Sequence, residues 1–353
     1  MVSSANREAT PPVRALVLSG GGGRGAYEAG VAKACFERNF HFDWIVGTSI
    51  GALNAALVGQ NDLEILEEMW QRIRSSDVYK LPSPVHLRRV IFGQQLGLLN
   101  TEPLEDLLKS CVSLERLKSG RSKVGFVTTD LCGLGTRVFT SDEIATQDDL
   151  IDILMASSAI PLLFPPRRLN GEGCWMDGGL VRNTPIQAAI NLGATEIYAV
   201  LVEPNSSAAC PASLTQLISR VLEIVFDHSA RSGIAHVTQH NRILDVGGLR
   251  NGRGNWCLLE DKEHSDNRSG SIDDVECSES GRGNGNGKLP HACAFEFVDL
   301  SKQVGSGRRV SLFIVKPERQ ILGSLLEIDP LVSSWLMRLG YEDVIRKCEP
   351  AVV

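Results

Sequence analysis

Apolar residues along the chain gather in short runs that alternate with longer stretches of helical spacing, and this alternation predicts an α/β protein. After a polar stretch at residues 1–12, read as a flexible tail, Val13 to Leu18 is a short apolar run suited to a buried strand. Ala26 to Phe36 reads as a helix, Trp44 to Val46 as a second strand, and GTSIGALNAALVG as a buried helix that starts near Ile50. In DLEILEEMWQRI, Leu63, Leu66, Met69, Trp70 and Ile73 recur at helical spacing, and Asp149 to Ala156 predicts a further buried helix. Strand-like runs recur at Lys123 to Thr128, Glu196 to Val202 and Val310 to Val315. Leu214 to Phe226 has the pattern of a core helix. Near the end, Asp329 before Pro330 signals a helix start, with Leu331, Trp335 and Leu339 on one face and Gly340 as the stop.

The pattern breaks between Gly248 and Leu289, where NGRGN, SDNRSGSIDD and GRGNGNG offer little to bury. Strand and helix patterns resume beyond it. We therefore expect residues 13–247 to form a catalytic domain, 248–308 to be a low-complexity insertion, and 309–353 to pack back on the domain.

Composition narrows the function classes. A net charge of −6 gives no bulk attraction to nucleic acid, which is not an expected partner. The nine cysteines are scattered and include no C-x-x-C pair, so neither a zinc site nor a disulfide framework is expected. No run approaches the ~20 apolar residues of a membrane-spanning helix, so the expected setting is cytoplasmic and any membrane contact peripheral.

Chemistry concentrates in three glycine-bearing motifs. LVLSGGGGRGAYEAG places Gly20, Gly22 and Gly25 as G-x-G-x-x-G between a strand and a helix. A dinucleotide loop would need an acidic residue at the far end of the second strand, but Asp43 precedes that strand and Gly47-Thr48-Ser49 occupies its end. The pentad Gly47-Thr48-Ser49-Ile50-Gly51 matches G-x-S-x-G in strand–turn–helix context, where flanking glycines permit the sharp turn that presents a nucleophilic serine. Backbone N–H groups of the glycine-rich turn are then suited to hold an oxyanion. A serine needs a base, and none of His41, His86, His228, His236, His240, His264 and His291 sits in a convincing motif. His236 and His240 in HVTQH share a helix face but lack the glutamate of a zinc-protease motif. A carboxylate is the other option, at Asp177 in CWMDGGLVRNTP; Asp-Gly-Gly also reads as a hairpin turn.

In this order, G-G-G-x-R-G at Gly20 to Gly25, GTSIG at Gly47 to Gly51 and DGG at Asp177 to Gly179 resemble the patatin-like phospholipase family. The resemblance extends to ASSAIP at Ala156 to Pro161 and TTDLCGLGTRVF at Thr128 to Phe139, covering roughly Val13 to Val202. It implies a three-layer fold related to the α/β hydrolases, with a central, mostly parallel sheet and helices on both faces. It also implies a Ser49–Asp177 dyad without a catalytic histidine, metal or cofactor. The oxyanion loop would be Gly20 to Gly23, with Gly21 and Gly22 as principal donors, and Gly47 and Gly51 would frame the nucleophile. Arg24 would orient that loop or meet a lipid phosphate, unless it is an ordinary helix-end arginine. Ser19 stands where some members carry an aspartate.

The expected activity is hydrolysis of fatty-acyl esters or phospholipids through an acyl-enzyme. An acyltransferase using the same dyad, a non-catalytic regulator on the same fold and a dinucleotide-dependent oxidoreductase are the alternatives. The stretch HLRRVIFGQQLGLLN, His86 to Asn100, reads either as a bilayer-docking lid or as a surface helix and loop covering the core. Burial is expected to raise the pKa of Asp177, since a carboxylate is otherwise a weak base for a serine.

Overall fold

The computed structural model describes residues 11–169, 171–202, 210–212, 214–249, 296–298, 310–317 and 325–348. Its strands are β1 (Arg14–Leu18), β2 (Trp44–Thr48), β3 (Lys123–Asp130), β4 (Gly135–Thr140), β5 (Arg167–Leu169), β6 (Glu172–Asp177), β7 (Glu196–Val200), β8 (Glu296–Val298) and β9 (Ser311–Val315). The helices are α1 (Ala26–Glu37), α2 (Ile50–Gly59), α3 (Leu63–Arg72), α4 (Pro84–Ile91), α5 (Glu102–Cys111), α6 (Leu114–Ser119), α7 (Gln147–Ser157), α8 (Gly179–Arg182), α9 (Ile186–Asn191), α10 (Leu214–Leu249) and α11 (Pro330–Cys348). The described strands form one sheet in the order β5-β6-β3-β2-β1-β7-β9-β8, with β4 paired to β3 off that path. The run β3-β2-β1-β7-β9 is parallel, whereas β4, β5, β6 and β8 pair antiparallel at its margins.

Both faces of the parallel strands are covered, which is why those strands read as unbroken apolar runs. Leu16, Leu18, Ile45 and Phe126 pack beneath α1, α2 and α11 on one face. Ala15, Val17, Val46 and Ile197, the alternate positions, pack with Ile186 and Ala189 of α9 on the other. A smaller cluster joins Leu99, Leu163, Phe164, Leu222, Phe226 and Leu325.

Several expectations change. Gly340 lies inside α11 and does not end it; a Cβ there would sit 2.1 Å from the Tyr27 carbonyl oxygen, and one at Gly30 would sit 1.9 Å from that of Met337. These two glycines let α1 and α11 approach closely. The buried side of α11 carries Leu336, Met337 and Leu339, while Leu331 is 82% exposed. Positions four apart drift around a helix of 3.6 residues per turn, so Leu331, Trp335 and Leu339 do not share one environment. Leu214 to Phe226 is amphipathic: Leu222 and Phe226 are buried, but Leu217, Val221 and Ile224 are exposed. Asp-Gly-Gly is not a hairpin turn, because β6 ends at Asp177 and α8 begins at Gly179. Most of 248–308 lies outside the described residues, although β8 within it pairs with β9.

Candidate active site

Ser49 occupies the single residue between β2 and α2, with φ 57° and ψ −126°. A residue bearing a Cβ enters this conformation only at a cost of about 1–3 kcal/mol, and it persists where the surroundings over-determine it. Here the flanking glycines do so. A Cβ on Gly47 would lie 2.1 Å from the Gly51 carbonyl oxygen, and one on Gly51 would lie 2.4 Å from that of Leu18. The Ser49 N–H donates to Ser157 Oγ (3.0 Å), whose hydroxyl donates to the Val127 carbonyl (2.7 Å). Ser157, at the end of α7, thereby ties the elbow to β3.

Strand β3 also brings in the carboxylate. One edge of β3 is taken by β4 from Gly125 to Asp130, so β2 and β6 share the other. On that edge Thr48 pairs with Val127 and Asp177 with Thr128. The two strands run toward each other along one template, and their C-terminal residues meet. The Ser49 hydroxyl donates to Asp177 Oδ2 at 2.6 Å, and the Gly179 N–H donates to Asp177 Oδ1 at 2.7 Å. A Cβ on Gly178 would lie 2.5 Å from the Val127 carbonyl oxygen, so this approach requires glycine. Asp177 is wholly buried, and burial pushes its carboxyl up to about 7 against the pull of its bonds to Ser49 and Gly179.

The glycine-rich turn packs against Ser49; a Cβ on Gly20 would stand 3.2 Å from that of Ser49. Gly20 does not have a free amide, because its N–H donates to the Asn183 carbonyl (3.0 Å) while its own carbonyl accepts from Asn183 Nδ2 (3.1 Å). This removes Gly20 from the donors anticipated at Gly20 to Gly23. Among the described residues the N–H groups of Gly21, Gly22 and Gly23 have no acceptor, and neither has that of Ile50 in the first turn of α2. Gly22 has φ +60°, and a Cβ on it would lie 2.0 Å from the Leu325 carbonyl oxygen.

Beneath the turn runs a buried polar network. Glu28 accepts from the Ser19 N–H (2.6 Å) and from Asn54 Nδ2 (3.0 Å); Asn54 Nδ2 also donates to the Gly25 carbonyl (2.9 Å), and its Oδ1 accepts from Trp70 Nε1 (3.0 Å). Burial holds the Glu28 carboxyl well above the ordinary carboxylate range. The Ser19 hydroxyl donates to the Val200 carbonyl at 2.6 Å. Arg24 is buried, pairs with Glu223 of α10 and donates weakly to the Val202 carbonyl at 3.4 Å. Its side chain borders a small pocket with Gly20, Gly21 and Asn183, not the pocket that contains Ser49. That placement fits an anchor for the turn rather than a contact to substrate phosphate.

The Ser49 pocket, about 690 Å³ of space that is partly open to solvent, is walled mainly by apolar side chains. Ile50, Leu53 and Leu57 line it along one face of α2, with Leu108 and Cys111 of α5 at its far end. Gln60 Nε2 donates to the Cys111 carbonyl at 2.8 Å, which puts Cys111 beside the C-terminal end of α2. No histidine lines this cavity among the described residues. His236 and His240 lie on α10, and His264 and His291 fall outside the described residues. Ser157, Asn183, Asn54 and the Ile50 amide were not anticipated. Asn54 had a signal, as the one polar residue in IGALNAALVG.

Comparison with known proteins identifies the family. Residues 16–190 match the family model described as Patatin-like phospholipase. Patatin-like phospholipase domain-containing protein 7 of Rattus norvegicus is 27% identical over 191 residues, 53% of this chain and 13% of that protein. Uncharacterized protein YqhO of Bacillus subtilis (strain 168) is 27% identical over 188 residues, 48% of this chain and 64% of that protein. The chain thus spans less than two thirds of either relative. The crystal structure of VipD from Legionella pneumophila aligns with a TM-score of 0.41 at 14% identity, over 96% of this chain and 67% of that one.

Proposed function

The chain belongs, through residues 16–190, to the patatin-like phospholipase family, and from that premise we propose that it is a serine acyl hydrolase whose nucleophile is Ser49 and whose base is Asp177. The observation that carries this reading is the 2.6 Å hydrogen bond from the Ser49 hydroxyl to Asp177 Oδ2, at a strained strand-to-helix elbow beside an apolar cavity. Asp177 takes the hydroxyl proton as Ser49 Oγ bonds to the ester carbonyl carbon. The carbonyl electron pair moves to oxygen, where the unpaired amides of Gly21 to Gly23 and Ile50 are the available donors. The oxyanion collapses, the alcohol leaves with the proton from Asp177, and the acyl group stays on Ser49. Asp177 then deprotonates water, which releases the acid and restores the hydroxyl.

A pKa near 7 suits both roles, because Asp177 must accept a proton and later give it up. The cavity supports a fatty-acyl substrate. Its wall from Ser49 to Leu57 follows eight residues of α2, about 12 Å at the helical rise. That is the length of a medium-chain acyl group.

The test is to label the pure protein with a fluorophosphonate and locate the adduct by mass spectrometry, with hydrolysis of a short p-nitrophenyl ester followed alongside. An adduct on Ser49 that is lost in Ser49→Ala, together with loss of hydrolysis, is the expected result. An adduct at another residue, or hydrolysis that survives in Ser49→Ala, overturns the assignment.

A further inference from the structure

Three segments far apart in the chain expose apolar side chains around one small core beside the Ser49 cavity. The first is an excursion whose ends are closed by paired bonds between Lys80 and Asn100, at 2.8 and 3.1 Å. Within it lies α4, started by the Ser83 hydroxyl accepting from the His86 N–H and by Pro84. No residue of α4 is buried. Leu81 is 80% exposed, Ile91 71%, Phe92 67% and Leu96 62%. The second is Leu162, 67% exposed at φ 68°, whose carbonyl accepts from the Leu98 N–H at 3.0 Å. The third is α10, where Leu217, Val221 and Ile224 form an exposed stripe at helical spacing.

Each segment is joined to one buried cluster by neighbouring residues: the excursion through Leu98 and Leu99, the Leu162 turn through Leu163 and Phe164, and α10 through Leu222 and Phe226. That cluster reaches the candidate active site directly. Phe164 and Tyr79 line the Ser49 cavity with their ring centroids 6.1 Å apart, and Leu325 lines it too. Exposed apolar side chains clustered in this way mark an interaction site on a folded protein.

Charge identifies the occupant. The chain carries −6 overall, yet no acidic residue occurs between Asp77 and Glu102, while Lys80, Arg88 and Arg89 do. Arg88 and Arg89 are exposed among the apolar positions, and the Arg88 guanidinium lies over the Phe92 ring at 5.8 Å. Projecting leucine, isoleucine and phenylalanine tips interleaved with arginines suit the boundary between lipid headgroups and acyl chains.

We propose that the 80–100 excursion, Leu162 and the exposed stripe of α10 form a docking face for an anionic phospholipid bilayer. This deepens the acyl-hydrolase reading and rests on it for its purpose, since docking there sets the lipid esters beside the Ser49 cavity. The physical claim of binding stands apart from catalysis.

The test is cosedimentation of the full chain with vesicles of phosphatidylcholine and phosphatidylserine, against vesicles of phosphatidylcholine alone. Ser49→Ala is run in parallel so that binding is read without turnover. Wild type and Ser49→Ala are expected to bind the mixed vesicles alike. Ile91→Asp/Phe92→Asp and Leu217→Asp/Ile224→Asp should each weaken binding at least about tenfold, from the lost apolar insertion. Arg88→Ala/Arg89→Ala should weaken it by about fivefold per charge, an effect that fades at high salt. Cleavage of a soluble short ester should be unchanged in these surface variants, which also shows that they fold. Binding to both vesicle types that none of the three double variants weakens overturns the proposal, as does no vesicle binding by wild type. A change of oligomeric state in the variants with vesicle binding intact also overturns it, in favour of contact between two copies. Vesicle binding without ester cleavage by wild type leaves the docking face standing and removes the hydrolase reading.

Discussion

Replacing Asp177 by Asn should make the protein inactive and more stable, with the stability gain growing as pH rises. Asparagine keeps the shape: its Oδ1 can accept from the Gly179 N–H, as Asp177 Oδ1 does at 2.7 Å. What it removes is a titration. Burial raises the Asp177 carboxyl from 3.8 to about 7, so between those values the native state binds a proton that the unfolded chain has released. Native stability therefore falls as pH rises through that window and levels off above it, where both states are ionised. At 1.36 kcal/mol per pKa unit the full cost is about 4 kcal/mol, of which about 1.5–2 kcal/mol is already present at about pH 5. Denaturant unfolding of wild type and Asp177→Asn across about pH 5 to 8 should show the gap between them widening by about 2–3 kcal/mol. Comparing one pair at several pH values cancels the pH-independent difference between the side chains. A gap that stays constant, or narrows with rising pH, would refute the claim that Asp177 is held against ionisation by its surroundings. The same ionisation sets activity. Wild-type kcat/KM should rise with pH to a plateau above an inflection near 7, and Asp177→Asn should lower it by about 10²–10⁴-fold.

Three further outcomes follow from the same geometry. Ser49→Gly should abolish ester cleavage while stabilising the fold by about 1–2 kcal/mol in denaturant unfolding, because glycine enters φ 57° freely; Ser49→Ala should give no such gain. Cys111→Trp, at the far end of the cavity, should cut cleavage of long-chain p-nitrophenyl esters at least about tenfold while sparing short ones; an unchanged chain-length profile would place the acyl chain elsewhere. Asn54→Ala leaves the Gly25 carbonyl, a Glu28 oxygen and the Trp70 indole N–H without their partner, so a loss of about 2–4 kcal/mol and slower fluorophosphonate labelling are expected.

The parts legible in the sequence are those set by neighbours along the chain. Apolar runs at β1, β2, β3, β7 and β9 are visible because a parallel strand covered on both faces has no polar alternation to obscure it. The elbow is visible because its conformation needs small residues two positions either side of Ser49. The short antiparallel strands β4, β5 and β6 are less legible. They mix polar and apolar positions at the margin of the sheet, and Asp-Gly-Gly reads equally well as a turn. Gly340 misleads for a related reason: glycine after an apolar helix resembles a stop, and only the helix packed against it shows a close-approach position.

By itself, then, the chain determined its strand and helix alphabet, its elbow and its glycine-rich turn, because backbone torsion and side-chain periodicity act over a few residues. Tertiary structure decided the rest. Ser49 and Asp177 are 128 residues apart and meet because β2 and β6 end on adjacent residues of β3. The partner of Arg24 is Glu223, 199 residues away on α10, and the acceptor that occupies the Gly20 amide is the Asn183 carbonyl. Register, burial and the pKa that follows from burial depend on which distant segments share an edge, and nothing in the local pattern carries that information.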